Sequence, residues 1–580
     1  MNTFNTYPFN TGPFNTDRAK MAKVFISTAL SFLLLTFLLC WPSPSNAADH
    51  RNLRIGMSQF PSTLHPMFDD MVAKSYVLGM SQRPVTAFDA NWKPVCMLCT
   101  VLPSFDNKLA KKETRANGKH GIAATYTILP KAAWGDGVPV TTKDIIFAWQ
   151  VGKHPLSGVG NADFFAKDIA DITVVDDKTF TIHFSKEECD FASIDGLYPL
   201  PDHLERKIFE KDPATYKSRT LYNTDPANPG LYWGPYRIAK VDAGYSITLY
   251  RNSAWTGSTP AFDTIVVKAI ENSAALSANL VSGDIDYIAG ELGLSLDQAL
   301  AFKKRLPDTY LTVFKPGLTY EHIDLNLDEP LFHDLRVRQA LMYAMDRESI
   351  NKTLFDGRQP VAADFVNPLD TVYDADVPRY AFNPAKAAAL LDGAGWKLAP
   401  DGTRVNKGGQ KLAFTLTTTA GNKNREVIEQ AIQSDWKKIG IDVKIENQPP
   451  RVMFGDTMRE RKFTGGVMYA WMSAPKDIPK TTLHSSMIPS PKNSYAGQNY
   501  AGYANPKVDK IIEDLETVCT APKNQQLWNE LQKIYAVELP ALPLYYRVDS
   551  YFIPKWLTGL APTGHMHPTT LWIENWKVTG

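Results

Sequence analysis

At 580 residues the chain exceeds what one hydrophobic core can organise, so two or three domains are expected. Its 44% hydrophobic and 21% charged residues are those of an ordinary soluble globular protein. With 62 basic and 61 acidic residues the net charge is +1, which excludes the strong field of a nucleic-acid or anionic-membrane binder.

The N-terminus carries the sharpest local pattern. Arg18, Lys20 and Lys23 precede an apolar run from Val24 to Trp41, Pro42 to Asn46 break any helix, and Ala47 and Ala48 follow. A basic segment, an apolar segment and a Ser45-Asn46-Ala47 end read as a secretory signal over residues 1–47, cleaved after Ala47 or Ala48. The run is just long enough to span a bilayer, which leaves a retained anchor open. A lipid anchor on Cys40 is rejected, because bulky Leu39 stands where a small residue is needed. Four cysteines follow the signal: Cys96, Cys99, Cys189 and Cys519. In an exported protein they are candidates for oxidation, with three full pairings open. Cys96-Met-Leu-Cys99 has redox spacing without a following βαβ pattern, and one such pair is a poor zinc motif. The expectation is a structural disulfide from this pair to Cys189.

Strands and helices are mixed, without regular alternation. Lys108–His120 reads as a polar loop, and Tyr126-Thr127-Ile128 as a short strand. Trp134-Gly-Asp-Gly137 makes a turn, and Thr141-x-x-Asp144 is a capping box opening a helix through Trp149. Strands are expected at Ile172–Val175 and Thr179–Phe184 around Asp176-Asp177-Lys178, then in a pair from Gly234 to Asn252. Asp334 caps a helix with Val337, Ala340, Leu341, Ala344 and Met345 in one apolar stripe. Asn383-Pro384 opens another, closed by Gly395. Arg425–Ile439 places Ile428, Ile432, Trp436 and Ile439 on one face; Gly440 stops it, and Ile441, Val443 and Ile445 alternate as a strand. Helices near Val508–Leu515 and Leu527–Val537 precede the strand Leu542–Arg547.

Motifs of catalysis are missing: there is no GxSxG, HExxH, GxxxxGK[ST], or GxGxxG opening a helix. His565-Met566-His567 has metal-competent side chains, but surface histidines are the expected reading. Asp69-Asp70 and Glu187-Glu188 are adjacent carboxylates, and adjacency alone does not make an acid–base pair. Neither an enzyme activity, a metal nor a cofactor is expected.

A series of punctuating segments runs the length of the chain. They are Pro61-Ser-Thr-Leu-His-Pro66, Trp134-Gly-Asp-Gly-Val-Pro-Val-Thr141, Gly234-Pro-Tyr-Arg-Ile238 and Ser282-Gly-Asp-Ile-Asp-Tyr287. Arg336–Asp346, Asn383-Pro-Ala-Lys386, Gly393-Ala-Gly-Trp396, Trp436–Asp442 and Leu539–Tyr546 continue it. In this order they resemble the extracytoplasmic solute-binding proteins of family 5, the dipeptide- and oligopeptide-binding components of ABC importers.

The resemblance implies an α/β, bilobed periplasmic-binding-protein fold with two main lobes joined by a hinge and an additional small domain. It implies a first domain made of 48–90, 226–315 and 546–580, a small domain 91–225, and a second lobe 316–545. It further implies a periplasmic monomer that closes on a peptide or peptide-like solute and delivers it to an inner-membrane ABC permease, without chemistry on the ligand. Residue by residue, the resemblance places Asp70 and Val72 in the ligand-binding segment after Leu64-His65-Pro66, and Tyr320 and His322 on a cleft-facing strand with Asn326 in phase. It makes Trp471 a stacking surface and adds Tyr500 and Tyr546 to the cleft. The sequence departs from the family where an aspartate usually pairs with the ligand's ammonium, three residues after that tryptophan. Ala474 stands there, and Asp477 or Asp70 is the substitute. The departure keeps non-peptide solutes open: metal chelates, haem, opines, sugars or bile-acid-like molecules. An envelope chaperone and a secreted hydrolase are the rival classes.

Overall fold

The computed structural model describes residues 50–579, except 69, 70, 116, 117, 160, 163, 450, 451, 494 and 496. The signal segment and Asp70 lie outside the described residues. Among these residues no helix is long and apolar enough to cross a membrane.

One ten-stranded mixed sheet runs through the molecule. Its strands are β1 (Asn52–Met57), β2 (Tyr236–Asp242), β3 (Ser246–Arg251), β4 (Thr264–Ala269), β5 (Tyr287–Ile288), β6 (Tyr310–Leu325), β7 (Ala413–Thr417), β8 (Asp442–Ile445), β9 (Gly466–Met472) and β10 (Ala541–Pro554). The spatial order is β8-β7-β9-β6-β10-β5-β1-β4-β3-β2. One half of the molecule packs β1 to β5 around a core that includes Leu53, Ile55, Tyr126, Trp134, Ile182 and Trp576. The other half builds on β7, β8 and β9 and buries Ile323, Leu341, Ile432, Trp436 and Leu542.

β6 and β10 are long because they serve both halves. Tyr310–Pro316 pairs with Val548–Pro554 in the first half, and Tyr320–Asp324 pairs with Ala541–Tyr546 in the second. Between the two runs the register shifts. The local cause is Pro316-Gly317: proline has no N–H to donate to a ladder. A Cβ on Gly317 would stand 2.8 Å from the carbonyl oxygen of Gly564, so the backbone approaches there as only glycine allows. The Leu318 N–H donates to that same Gly564 oxygen at 2.7 Å, and Asn367 Nδ2 donates to the Gly317 oxygen at 2.6 Å.

Most sequence-derived elements stand near their expected bounds. Thr141 and Asp144 form the capping box of helix Thr142–Lys153. Asn422 caps helix Lys423–Lys438, Gly440 follows at φ +86°, and β8 begins two residues later. Two expectations fail. Lys108–His120 is not a loop: Ala110–Thr114 pairs antiparallel with His120–Thr127 in a four-stranded sheet. It is an edge strand, and exposed lysines such as Lys111 and Lys112 are what a sheet edge carries. The cysteines also pair differently. Cys96 bonds to Cys99, and Cys189 bonds to Cys519 at a Cα–Cα distance of 5.0 Å. Cys96 ends a two-stranded hairpin and the chain turns back within three residues, so its neighbour is already in reach and Cys189 is left to a distant partner.

Candidate functional site

Alternation along β6 turns Tyr320, His322 and Asp324 to one face, and the antiparallel register sets Trp471 opposite Tyr320 and Tyr469 opposite His322. These side chains form the floor of a cavity of about 530 Å³. The second half supplies most of the wall, including Phe365, Asp370, Ser473, Ala474, Lys476, Asp477 and Asn499. The first half closes it with Met71, Val72 and Ser75 at the start of helix Val72–Leu78, and with Met566. The cavity therefore lies between the two halves of the molecule.

The floor is stiff. The Tyr320 and His322 rings stack with centroids 4.7 Å apart and planes 6° apart, and His322 leans on Tyr469 at 4.5 Å. The Tyr320 hydroxyl meets that of Tyr535 at 3.1 Å. Tyr469 donates its hydroxyl to Asp324 Oδ2 at 2.6 Å, and His322 Nε2 lies 3.5 Å from Asp324 Oδ1. Burial lowers the His322 pKa and outweighs the neighbouring Asp324 carboxyl, favouring the uncharged ring. Burial also raises the Asp324 carboxyl, against the pull of His322 and the Tyr469 hydroxyl.

On the opposite face of β6, Glu321 is fully buried between Arg425 and Arg547. Arg547 reaches Glu321 Oε2 through Nη2 at 2.6 Å and Nε at 2.9 Å, and Arg425 Nε bonds Oε1. Although burial pushes it up, the two guanidinium groups hold the Glu321 carboxyl down at about 2. This triad ties β6 to β10 and to helix Lys423–Lys438, and so fixes the floor from behind.

The cavity wall is acidic on balance. Asp324, Asp370 and Asp477 line it, with Lys476 as the one ammonium among the described lining residues. Asp370 Oδ2 accepts the Lys476 N–H at 2.8 Å and holds Lys476 at φ +59°, a strained conformation for a side-chain-bearing residue. Asp477 lines the cavity with its side chain still exposed to solvent. Desolvation within the cleft, followed by the fields of Asp195, Asp190 and Asp370, pushes its carboxyl up to about 7. A cation placed beside Asp477 would relieve that crowding.

Of the residues picked from sequence, Val72, Tyr320, His322, Trp471 and Asp477 are brought to this cavity, as is Ala474. Three are not among its lining. Asn326 lies beyond the end of β6, where alternation stops; its carboxamide donates to the Phe463 carbonyl at 2.8 Å and accepts from the Asp328 N–H. Tyr546 is buried behind Tyr320, with its hydroxyl on the carbonyls of Asp364 and Val366 at 2.7 and 2.6 Å. Tyr500 stacks on Trp471 at 6.3 Å and 15° and supports it. His565 and His567 are buried rather than surface histidines: the first bonds the Asp89 carbonyl and the second lies 3.3 Å from Asp195 Oδ2. Only Met566 between them reaches the cleft. Sequence reasoning missed Asp324, Tyr469 and Asp370. The first two follow from carrying the Tyr320–His322 alternation two residues on and across to the partner strand, whereas nothing local marks Asp370.

Comparisons with known proteins bear on the family and the fold. The family described as bacterial extracellular solute-binding proteins, family 5 Middle, matches residues 105–487. The oligopeptide-binding protein AppA of Bacillus subtilis (strain 168) is 27% identical over 473 residues, covering 80% of this chain and 83% of that one. The crystal structure of the oligopeptide-binding protein from Thermus thermophilus, complexed with a pentapeptide, superposes with a TM-score of 0.75 at 28% identity, over 91% of this chain and 96% of that one. NikZ from Campylobacter jejuni in complex with Ni(L-His) superposes with a TM-score of 0.74 at 21% identity, over 91% and 99%, a likeness of fold. The fold is thus the bilobed α/β fold of such proteins.

Proposed function

The chain belongs to the bacterial extracellular solute-binding proteins of family 5, and on that premise we propose that it captures a short peptide or peptide-like solute in the interlobe cavity and hands it to the permease of an ABC importer. Export by residues 1–47 to the periplasm and action as a monomer are parts of the same reading. So is a division into a first domain of 48–90, 226–315 and 546–580, a small domain of 91–225 and a second lobe of 316–545. Binding, not turnover, is the activity: closure of the two lobes around a solute is favoured by the contacts that the closed state alone makes.

The observation that carries the proposal is the cavity's lining. Its volume of about 530 Å³ falls within the range of roughly 300–1,000 Å³ usual for small-ligand sites. Trp471, Tyr320 and Tyr469 offer flat apolar faces for side chains, and three methionines, Met71, Met472 and Met566, offer adaptable ones. Asp477 supplies the carboxylate that Ala474 cannot, as anchor for an α-ammonium. Mass spectrometry of the solute released by denaturing the freshly purified protein tests the proposal. Short peptides with free N-termini are expected; a single non-peptide species in stoichiometric amount overturns the peptide reading. Ala474 is the observation that favours that second reading, a solute without an amine held by the same lobes.

A further inference from the structure

The two halves are joined by covalent bonds at more than the crossing strands. Cys189 and Cys519 are 330 residues apart in sequence and bonded through sulfur, with Cα atoms 5.0 Å apart. Cys189 lies between strand Thr179–Phe184 and Phe191, both part of the first half's core. Cys519 lies between helices Pro506–Thr517 and Ala521–Glu538, whose Ile512, Leu515, Trp528 and Leu531 pack together in the second half. Polar contacts run alongside. The Cys189 N–H donates to the Glu516 carbonyl at 3.0 Å, and the Glu516 carboxylate pairs with Lys186 of the first half at 3.0 Å and Lys480 of the second at 2.7 Å. Lys480 is three residues beyond Asp477, so this seam borders the cavity wall and not the β6–β10 crossing.

We infer that the Cys189–Cys519 pair is a thiol–disulfide exchange site that latches the cleft. A disulfide cannot bridge Cα atoms more than about 7 Å apart, so while it stands the lobes cannot part at this seam. The β6–β10 crossing at Pro316-Gly317 is one tie between the halves, and the sulfur bond stands apart from it, so rotation of one half about the crossing would have to stretch that bond. The other disulfide has no such effect, since Cys96 and Cys99 sit three residues apart within one half, and Cys99 is buried. Cys519 is exposed and Cys189 half-buried, which makes the Cys519 sulfur the accessible point of attack.

The reductant is a dithiol, free or on a partner oxidoreductase. One of its thiolates attacks Cys519 Sγ, the Cys189–Cys519 bond breaks, and Cys189 leaves as a thiolate that takes up a proton. The second thiol of the reductant then attacks the mixed disulfide, Cys519 leaves as the thiol, and the reductant departs as its own disulfide. Two electrons and two protons pass to the protein. The oxidised form holds the lobes at the spacing seen here whether or not solute is present, and the reduced form exchanges solute by parting at this seam.

That consequence rests on solute entry by lobe separation, but its test needs no solute. Small-angle X-ray scattering is measured on the ligand-stripped protein in three states: oxidised wild type, wild type with phosphine reductant, and Cys189→Ser/Cys519→Ser. The latter two are expected to share a larger radius of gyration than the first. Cys96→Ser/Cys99→Ser is expected to expand on reduction as wild type does, which assigns the effect to the other pair. Superposable curves for oxidised and reduced wild type overturn the inference, as does thiol mapping that finds Cys189 and Cys519 free in the native protein. If the double serine variant does not fold, the reductant arm decides. A protein that binds no peptide leaves these outcomes untouched, so the two failures are separable.

Discussion

Tyr320 and Tyr546 are register partners on the two strands that cross between the lobes, with rings 5.7 Å apart, yet only Tyr320 reaches the cavity. The Tyr546 hydroxyl is spent on two carbonyls of the segment that carries Phe365. Tyr546→Phe removes both bonds while keeping the ring. It is expected to lower stability by about 1–3 kcal/mol, the cost of unpaired buried carbonyls, with solute affinity changed less than twofold. Urea unfolding alongside titration calorimetry checks the split; a large affinity loss without a stability loss contradicts it.

Trp471 lines the cavity and stacks on Tyr500. Trp471→Ala is expected to weaken solute binding by tenfold or more, about 1.5 kcal/mol, through lost stacking and apolar area. Trp471→Phe is expected to recover part of this. Equal affinities for all three proteins would remove Trp471 from the binding surface.

Asp477 gives the site a pH dependence with a definite sign. The cleft desolvates the Asp477 carboxyl and, with the neighbouring carboxylates, pushes it up to about 7 from an ordinary value near 3.8. An ammonium ligand must displace that proton, so affinity for free-amine peptides is expected to rise from pH 5 to pH 7 and then level off. Asp477→Asn is expected to flatten the profile and cost about 10- to 100-fold at pH 8, the range of a charge-assisted hydrogen bond. A raised carboxyl opposes folding above its unfolded pKa. The stability gained by Asp477→Asn in the ligand-free protein should therefore appear between pH 4 and pH 7 and stay constant above. Calorimetry across that range reads both effects.

Glu321 works in the other direction. Two arginines depress its carboxyl to about 2, below the ordinary 4.5. The stability it contributes is complete above pH 4.5 and is lost as pH falls through about 2. Glu321→Gln leaves two guanidinium groups facing a neutral amide at a buried position, and an expected cost at pH 7 of about 3–5 kcal/mol. The variant should lack the wild type's steep loss of stability in acid, as urea midpoints at pH 7, 4 and 2.5 will show.

Much of this architecture is legible in the sequence, for physical reasons. Capping residues such as Thr141, Asp334, Asn383 and Asn422 satisfy the first free N–H groups of a helix wherever they stand, so helix starts follow from local chemistry. The alternation of Tyr320 and His322 is likewise local. Its failure at Asn326 is tertiary, because the strand ends where β9 begins and the chain must turn. Tyr546 and Tyr500 look like cleft residues because aromatic side chains suit a cleft, but they suit the layer behind it equally well. The Cys189–Cys519 bond depends on two segments brought together from the two halves, and no spacing reports that. Ala110–Thr114 is hidden by its charge, which marks a strand edge as readily as a loop.

Thermal unfolding of the ligand-stripped protein, with a pool of short peptides and with the same pool N-acetylated, tests the central claim most directly. A ligand that binds only the folded state raises the midpoint by mass action. The free peptides are expected to raise Tm and the acetylated ones to raise it far less, with the difference abolished by Asp477→Asn. If neither pool moves the midpoint, capture of peptides through an ammonium anchor is contradicted.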